Sequence, residues 1–540
     1  MFIVPFDRPG EMWEFFLCLL PSLMLILVKI LLRWNWIRHL ADSTVQQCGR
    51  CMWIMACRLL KLSHIPVSEF IGECQAEIRL ICKPTALANH LKKHCYALAQ
   101  PPLARWPQAD PHLQIITNLM WPTKEGAELQ GGVRFKRDNL LLVDGGIVAL
   151  DWAVSLTDQQ VQAKRDHHPG GRVLGLHSSN PAIVIIIPNA LGRVTPHLIR
   201  LCHQALQQGF YPVVFHRRGQ GGCPLITPHY QEFGNPSDLV QAVAYLRSHH
   251  PSSTLLAISE GSGSGLLLSY LGECGSSSHL MAAACISPVF HGQLLFEYEL
   301  PWLYHWIALI YRKLQINRYA TALSSVMDVA KILHCNSLRD MEELMFCATK
   351  QSAHRMSDSV DHVGKDSSRL STKPDWASYW EKNEPLRDAD EVAVPVLCLC
   401  SQDDPLLPPL STVPEALFHN SPYFMLAITE QGGHCGFIHE DRHGGTTSWS
   451  HFLVLEYFRV VADFLGVEEK KGFKDDIAHR GSQGLRHSTS AILSKRRRST
   501  LLRKERPILG SRRRQISTPS DIFTLEEEQV DFTWNRSYTR

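Results

Sequence analysis

The sequence predicts an α/β fold with a mostly parallel sheet and helices on both faces, and three observations carry that expectation. Short apolar runs alternate with helix-period segments from about residue 140 to 465, the alternation a parallel sheet with crossover helices requires. One apolar run leads through a glycine-serine turn directly into a helix, at Leu255–Ile258, Ser259–Gly265 and Leu266–Leu271. Late strand-like runs end in loops rich in aspartate, histidine and glycine, where such folds collect their chemistry.

At the N-terminus, Phe15 to Val28 is apolar or small throughout, and Ile30-Leu31-Leu32 extends the run past Lys29. About 18 such residues can cross most of a bilayer. Asp7, Arg8, Glu11 and Glu14 precede the run and Lys29, Arg33 and Arg38 follow it. A positive n-region and an A-x-A cleavage site are therefore missing, and residues 1–40 are expected to be a retained single-pass anchor in an endomembrane. The charge bias puts the following chain in the cytosol. A cleaved signal with secretion is the alternative.

The sixteen cysteines sit in apolar settings such as Leu397-Cys398-Leu399-Cys400, which suits buried thiols and not a disulfide framework. Cys48 and Cys51 form a lone C-x-x-C with Cys57 nearby, open to S-acylation beside a membrane. The twenty-seven histidines are read by default as surface or core residues, and neither a metal nor another cofactor is expected. A formal charge of +3 over 540 residues implies no particular partner, and no nucleic acid is expected.

Residues 41–100 have mixed helical periodicity and form a connecting region, and Pro101-Pro102, Trp106-Pro107 and Pro111 lead from it into the main domain, 101–467. Strands are expected at 140–143, 147–154, 183–187, 211–215, 255–258, 394–400 and 423–428, with helices at 196–208, 237–248, 263–272 and 450–465. From about 290 to 390 the pattern changes to aromatic-rich helices, including Trp302-Leu303-Tyr304-His305-Trp306, and then a polar stretch, which suits a cap over a site. Residues 468–540 turn basic and serine-rich, with Lys495-Arg496-Arg497-Arg498 and Arg512-Arg513-Arg514, and read as a disordered tail.

Nucleophilic catalysis on such a sheet needs a serine on a strained strand-to-helix turn, an acid after a late strand and a histidine after the last strand. After the strand 394–400 comes Ser401-Gln402-Asp403-Asp404-Pro405. Asp404 is assigned as the orienting acid, with Asp403 as fallback. Gln431-Gly432-Gly433-His434-Cys435-Gly436-Phe437 follows the last strand, and its glycines let the backbone bring His434 to a pocket as general base. Backbone N–H groups of Asn189 and Ala190, after strand 183–187, are the expected oxyanion hole. Arg217 and Arg218, at the end of strand 211–215, are expected in structural ion pairs. The turn itself reads Ala257-Ile258-Ser259-Glu260-Gly261-Ser262-Gly263. No G-x-S-x-G fits with serine at the expected vertex; Ser259, in an alanine variant of the motif, and Ser262 are the two candidate nucleophiles.

These residues resemble the branch of the α/β-hydrolase superfamily that contains membrane-anchored lipid esterases and phospholipases. The resemblance covers about 100–465 and rests on Pro111-His112-Leu113-Gln114, Asp144-Gly145, Leu150-Asp151-Trp152, Phe215-His216-Arg217-Arg218-Gly219, Asp403-Asp404-Pro405 and Gly433-His434-Cys435-Gly436-Phe437. It implies an α/β-hydrolase fold with a helical cap, an N-terminal anchor, no cofactor, and a lipid ester as substrate or ligand, in the manner of carboxylesterases and acylglycerol lipases. Laid on the family's pattern through Leu266-Leu267-Leu268-Ser269-Tyr270-Leu271-Gly272, the nucleophile position falls on Gly261. A catalytically inert scaffold or regulator of lipid metabolism is then the alternative to an enzyme. In the tail, Arg514-Gln515-Ile516-Ser517-Thr518-Pro519 resembles a basophilic kinase site, making Ser517 a phosphorylation candidate and a phospho-dependent protein partner an expectation.

Overall fold

A computed structural model describes residues 43–62, 78–99, 104, 106–120, 132–155, 181–189, 192–347, 374–440 and 446–481. The expected anchor, Ala190 and Ser517 lie outside the described residues. No helix among the described residues is long and apolar enough to cross a membrane.

Helix α1 (Ser43–Leu59) is followed by strand β1 (Arg79–Ile81), α2 (Ala86–His94) and α3 (Pro111–Met120). Trp53 and Cys57 of α1 are buried with Leu113 of α3, and the Trp53 indole donates to Asp110 at 2.9 Å. This packing holds the connecting region against the domain. A three-residue strand is too short to show alternation, so β1 is invisible in the sequence pattern.

The hairpin β2 (Val133–Leu141) and β3 (Ile147–Ser155) leads into the core strands β4 (Ile183–Ile187), β5 (Tyr211–His216), β6 (Leu255–Glu260), β7 (Leu280–Ile286), β8 (Val396–Ser401) and β9 (Phe424–Thr429). The nine-stranded sheet has the order β1-β9-β8-β7-β6-β4-β5-β3-β2. Pairings from β5 through β4, β6, β7 and β8 to β9 are parallel, whereas β1–β9, β2–β3 and β3–β5 are antiparallel. This is the mostly parallel α/β-hydrolase sheet the sequence predicted. A short second pair, β10 (Ile438–Glu440) with β11 (Thr446–Ser448), stands apart.

Besides the short strands β1, β10 and β11, two longer strands differ from the sequence reading. β2 starts at Val133, where Arg134, Lys136 and Arg137 interrupt the apolar signal on an outer hairpin. β7 reads Leu-Met-Ala-Ala-Ala-Cys-Ile, and its alanines carry little strand propensity. At the centre of the sheet that weakness is overridden, because Ala282, Ala283 and Ala284 are fully buried between β6 and β8.

Helices α4 (Pro196–Gln207), α5 (Ser237–His249) and α6 (Ser264–Cys274) follow β4, β5 and β6. Side chains alternate across a strand. Leu255 and Ala257 share one buried cluster with Leu239 of α5 and Leu266 of α6. Residues 256, 258 and 260 therefore face the opposite layer. The cap contains α7 (Gly292–Glu297), α8 (Trp302–Arg318), α9 (Ala320–Leu323), α10 (Val329–His334), α11 (Leu338–Phe346) and α12 (Trp376–Asn383). It has its own apolar cluster, with Leu309, Ile316, Ile332 and Met341. After α13 (Glu415–Asn420), the last helix among the described residues, α14 (Trp449–Gly481), runs beyond residue 468, since Glu468, Glu469, Lys470 and Lys471 are good helix formers.

Candidate active site

The chain reverses its lateral direction at β4: β5 is added on one side and β6 on the other. At such a switch point the loops leaving neighbouring strands diverge and open a crevice at the strands' C-terminal ends. The loops after β4, β6, β8 and β9 carry Asn189, Gly261, Asp404 and His434, respectively.

Strand β6 ends at Glu260, and a single 3-10 turn, Gly261–Gly263, leads into α6. Gly261 lies at the vertex with φ of +50°, a region that strains other L-residues and that glycine occupies without steric cost. A Cβ built on Gly261 would stand 2.8 Å from His434 Nε2 and 3.6 Å from the Asn189 Cβ. The vertex therefore faces both the histidine and the loop after β4. Gly263 permits that closeness, because a Cβ there would come within 2.5 Å of the Pro188 carbonyl oxygen. Ser264 Oγ clamps the turn, donating to Gly261 O at 2.7 Å and accepting from Val289 N at 2.8 Å.

Asp404 and His434, separated by 30 positions, meet with Nδ1 and Oδ2 2.9 Å apart. The other Asp404 oxygen accepts from Leu406 N at 2.9 Å. Nδ1–H donation to the carboxylate leaves Nε2 toward Gly261. Asp403 does different work: its Oδ1 accepts from Gly433 N at 2.8 Å, while Ser401 Oγ donates to Gly433 O at 2.8 Å. Beyond the histidine, Cys435 N donates to Ser287 Oγ at 2.9 Å. The imidazole is thus fixed by backbone pins on both sides, with Gly433 at φ +53° making the turn.

Burial lowers the His434 pKa, but the facing Asp404 carboxylate and the Cys435 thiol outweigh it and hold the group well above the ordinary histidine value. Burial pushes Asp403 up to about 7, against the opposing Gly433 N–H bond. Beside Asp404 a cavity of about 60 Å³ is lined by Phe290, Leu294, Leu407 and Pro408.

The two candidate serines occupy different places. Ser259 lies within β6, in register with Ile187 and Cys285. It is fully buried, and its hydroxyl has no hydrogen-bond partner. By strand alternation it points with Ala257 into the α5/α6 layer. Ser262 follows the vertex in the turn and is half-buried. Asn189 is half-buried beside the vertex, where its carbonyl accepts from Gly192 N at 2.9 Å.

Arg218 is buried and clamps Asp238 through Nε at 2.7 Å and a terminal nitrogen at 2.6 Å, and it also pairs with Asp144. Its role is a structural ion pair. The cap is tied down above the crevice by Tyr304 Oη, 2.6 Å from His112 Nδ1. Within the cap, the buried Glu342 accepts from Tyr379 and Arg312, both at 2.6 Å.

Sequence reasoning missed one cluster. Glu260, adjacent to the vertex, points into the layer opposite Ser259 and meets His197 of α4 and His451 of α14. All three are buried, and one ligating atom from each lies within 4.8 Å of the others. Positions 197, 260 and 451 share no short-range spacing, so no motif could have flagged them.

No family model matches the chain. Protein ABHD15 of Homo sapiens is 42% identical over 465 residues, covering 85% of this chain and 85% of that protein. Phospholipase ABHD3 of Homo sapiens is 24% identical, covering 61% and 75%, and Monoacylglycerol lipase ABHD2 of Danio rerio is 24% identical, covering 54% and 68%. A Pyrococcus furiosus esterase structure aligns over 57% of this chain and 86% of its own, with 13% identity and a TM-score of 0.33.

Proposed function

The chain belongs to the α/β-hydrolase family of Protein ABHD15, and from that premise we propose that it binds lipid esters or their acyl products in the crevice as a non-covalent regulator of lipid metabolism. The observation that carries this reading is Gly261 at the elbow vertex, its missing side chain directed at His434 Nε2. Covalent hydrolysis draws most of its rate from a nucleophile at that point; losing one from a triad costs around 10⁶ in turnover, on the order of 8 kcal/mol. The placement of Ser259 inside β6, buried and directed away from the vertex, agrees with this reading.

The retained pair Asp404–His434 gains a different use. An imidazole held toward its protonated form presents Nε2–H to the crevice, a donor for an acyl carboxylate, an ester carbonyl or a phosphate. Lipid-processing relatives, the phospholipase and the monoacylglycerol lipase, support lipids as the ligand class. Attachment to an endomembrane through Phe15 to Leu32 and phospho-dependent docking at Ser517 belong to the same proposal.

A fluorophosphonate probe should leave the folded protein unlabelled, and acylglycerols should not turn over. A fluorescent fatty-acid analogue should bind, and His434→Ala should weaken it. Labelling mapped to Ser259 or Ser262, with turnover that His434→Ala abolishes, would overturn this reading in favour of a serine esterase with an atypical elbow.

A further inference from the structure

The back of the elbow carries chemistry that the crevice does not use. His197 Nε2 and His451 Nε2 are 2.9 Å apart, and His197 Nε2 is 3.5 Å from Glu260 Oε1. The His197 and Glu260 side chains are 3% and 4% exposed, and His451 is fully buried. Glu260 Oε1 makes no hydrogen bond, with His197 Nε2 standing 3.5 Å away. A buried carboxylate oxygen left in this way is costly as an anion unless a cation answers it or it takes up a proton.

We propose that His197 Nε2, His451 Nε2 and Glu260 Oε1 form a binding site for one divalent transition ion, with zinc the foremost candidate. Two imidazoles and one carboxylate are a donor set that borderline ions accept, and harder ions such as calcium prefer all-oxygen cages. Bonds of about 2.0–2.1 Å in a tetrahedral site put neighbouring donors about 3.3 Å apart, and the separations of 2.9 and 3.5 Å bracket that value.

The site would join three elements: α4, which follows the loop at Asn189, the end of β6, and α14. Glu260 is the residue before the vertex, so the ion would fix the elbow from behind. The inference is independent of whether the crevice hydrolyses or only binds. Arg200 sets a distinctive expectation. Its positive charge acts on both histidines and must oppose a second cation, so neutralising it should tighten the site.

The test is metal analysis of the full-length protein after chelation, reloading with zinc and removal of excess. About one zinc per chain is expected, with at least tenfold weaker retention in Glu260→Gln and His451→Ala, and tighter retention in Arg200→Gln. Cobalt loading of the wild type should give visible absorption bands of a tetrahedral site, a readout that needs no variant to fold. No zinc and no cobalt bands on folded wild-type protein would overturn the proposal, leaving a hydrogen-bonded polar cluster only. Equal retention in folded Glu260→Gln or His451→Ala would overturn it as well.

Discussion

Gly261→Ser supplies the hydroxyl that the elbow lacks and tests the reasoning about the crevice from the gain side. At φ +50°, a residue with a Cβ carries about 1–2 kcal/mol of backbone strain. Loss of glycine's freedom in the unfolded chain returns about 0.4–1 kcal/mol. The new Cβ would also stand 2.8 Å from His434 Nε2, so the ring must yield by a few tenths of an ångström. A net destabilisation of up to about 2 kcal/mol follows, a melting shift of at most a few degrees for a domain this large. In exchange, an Oγ on that Cβ lies within hydrogen-bond reach of Nε2, the nucleophile–base relation that acyl transfer needs. A full triad nucleophile is worth about 10⁶; in an unadapted pocket, a gain of at least about 10² in short-chain ester turnover is expected, with stoichiometric fluorophosphonate labelling at position 261. The assay is intact-protein mass after probe treatment, with Gly261→Ser/His434→Ala as control. A folded Gly261→Ser protein that stays unlabelled would refute the claim that only the nucleophile is missing. Wild-type labelling equal to the variant's would refute the claim that the elbow is empty.

Three further expectations concern stability and pH. His434 is held above its ordinary value of about 6.5 by Asp404. The pair's contribution is therefore complete below about pH 6.5 and is lost as pH rises through the elevated folded value, so the melting-temperature gap between wild type and Asp404→Asn should narrow with rising pH; a gap that widens contradicts the pairing. Asp151 behaves in the opposite sense: burial would raise it, but Arg137 and His216 outweigh that and lower it to about 2. Its contribution is present above about pH 4 and fades toward pH 2, and Asp151→Asn should flatten the acid limb of stability there. Arg218→Ala leaves Asp238 buried and unpaired, which costs about 3–5 kcal/mol; a urea-unfolding loss below about 1 kcal/mol would show that the clamp is dispensable.

The central strands were legible because buried parallel strands read as plain apolar runs: β4 was expected and found at Ile183–Ile187. The loops bearing Asp404 and His434 were legible because loop residues that carry chemistry break an otherwise simple pattern with aspartate, histidine and glycine. β7 was not, since an alanine strand owes its state to its neighbours β6 and β8. β1 and the start of β2 were hidden by shortness and by charge.

By itself the sequence determined the α/β class, the order of the core elements, and a glycine-serine turn in which the resemblance laid the nucleophile position on Gly261 and left Ser259 and Ser262 as candidate stand-ins. Only the tertiary structure decided that Gly261 stands at the vertex and that Ser259 is buried behind it. The end of β6 is set by its pairing with β4 as far as Ser259 and with β7 as far as Glu260, and that pairing buries Ser259 and turns Gly261 toward His434. It likewise decided that His197, Glu260 and His451 meet, because three positions remote in the chain become neighbours only when α4 and α14 pack on the same face of one strand.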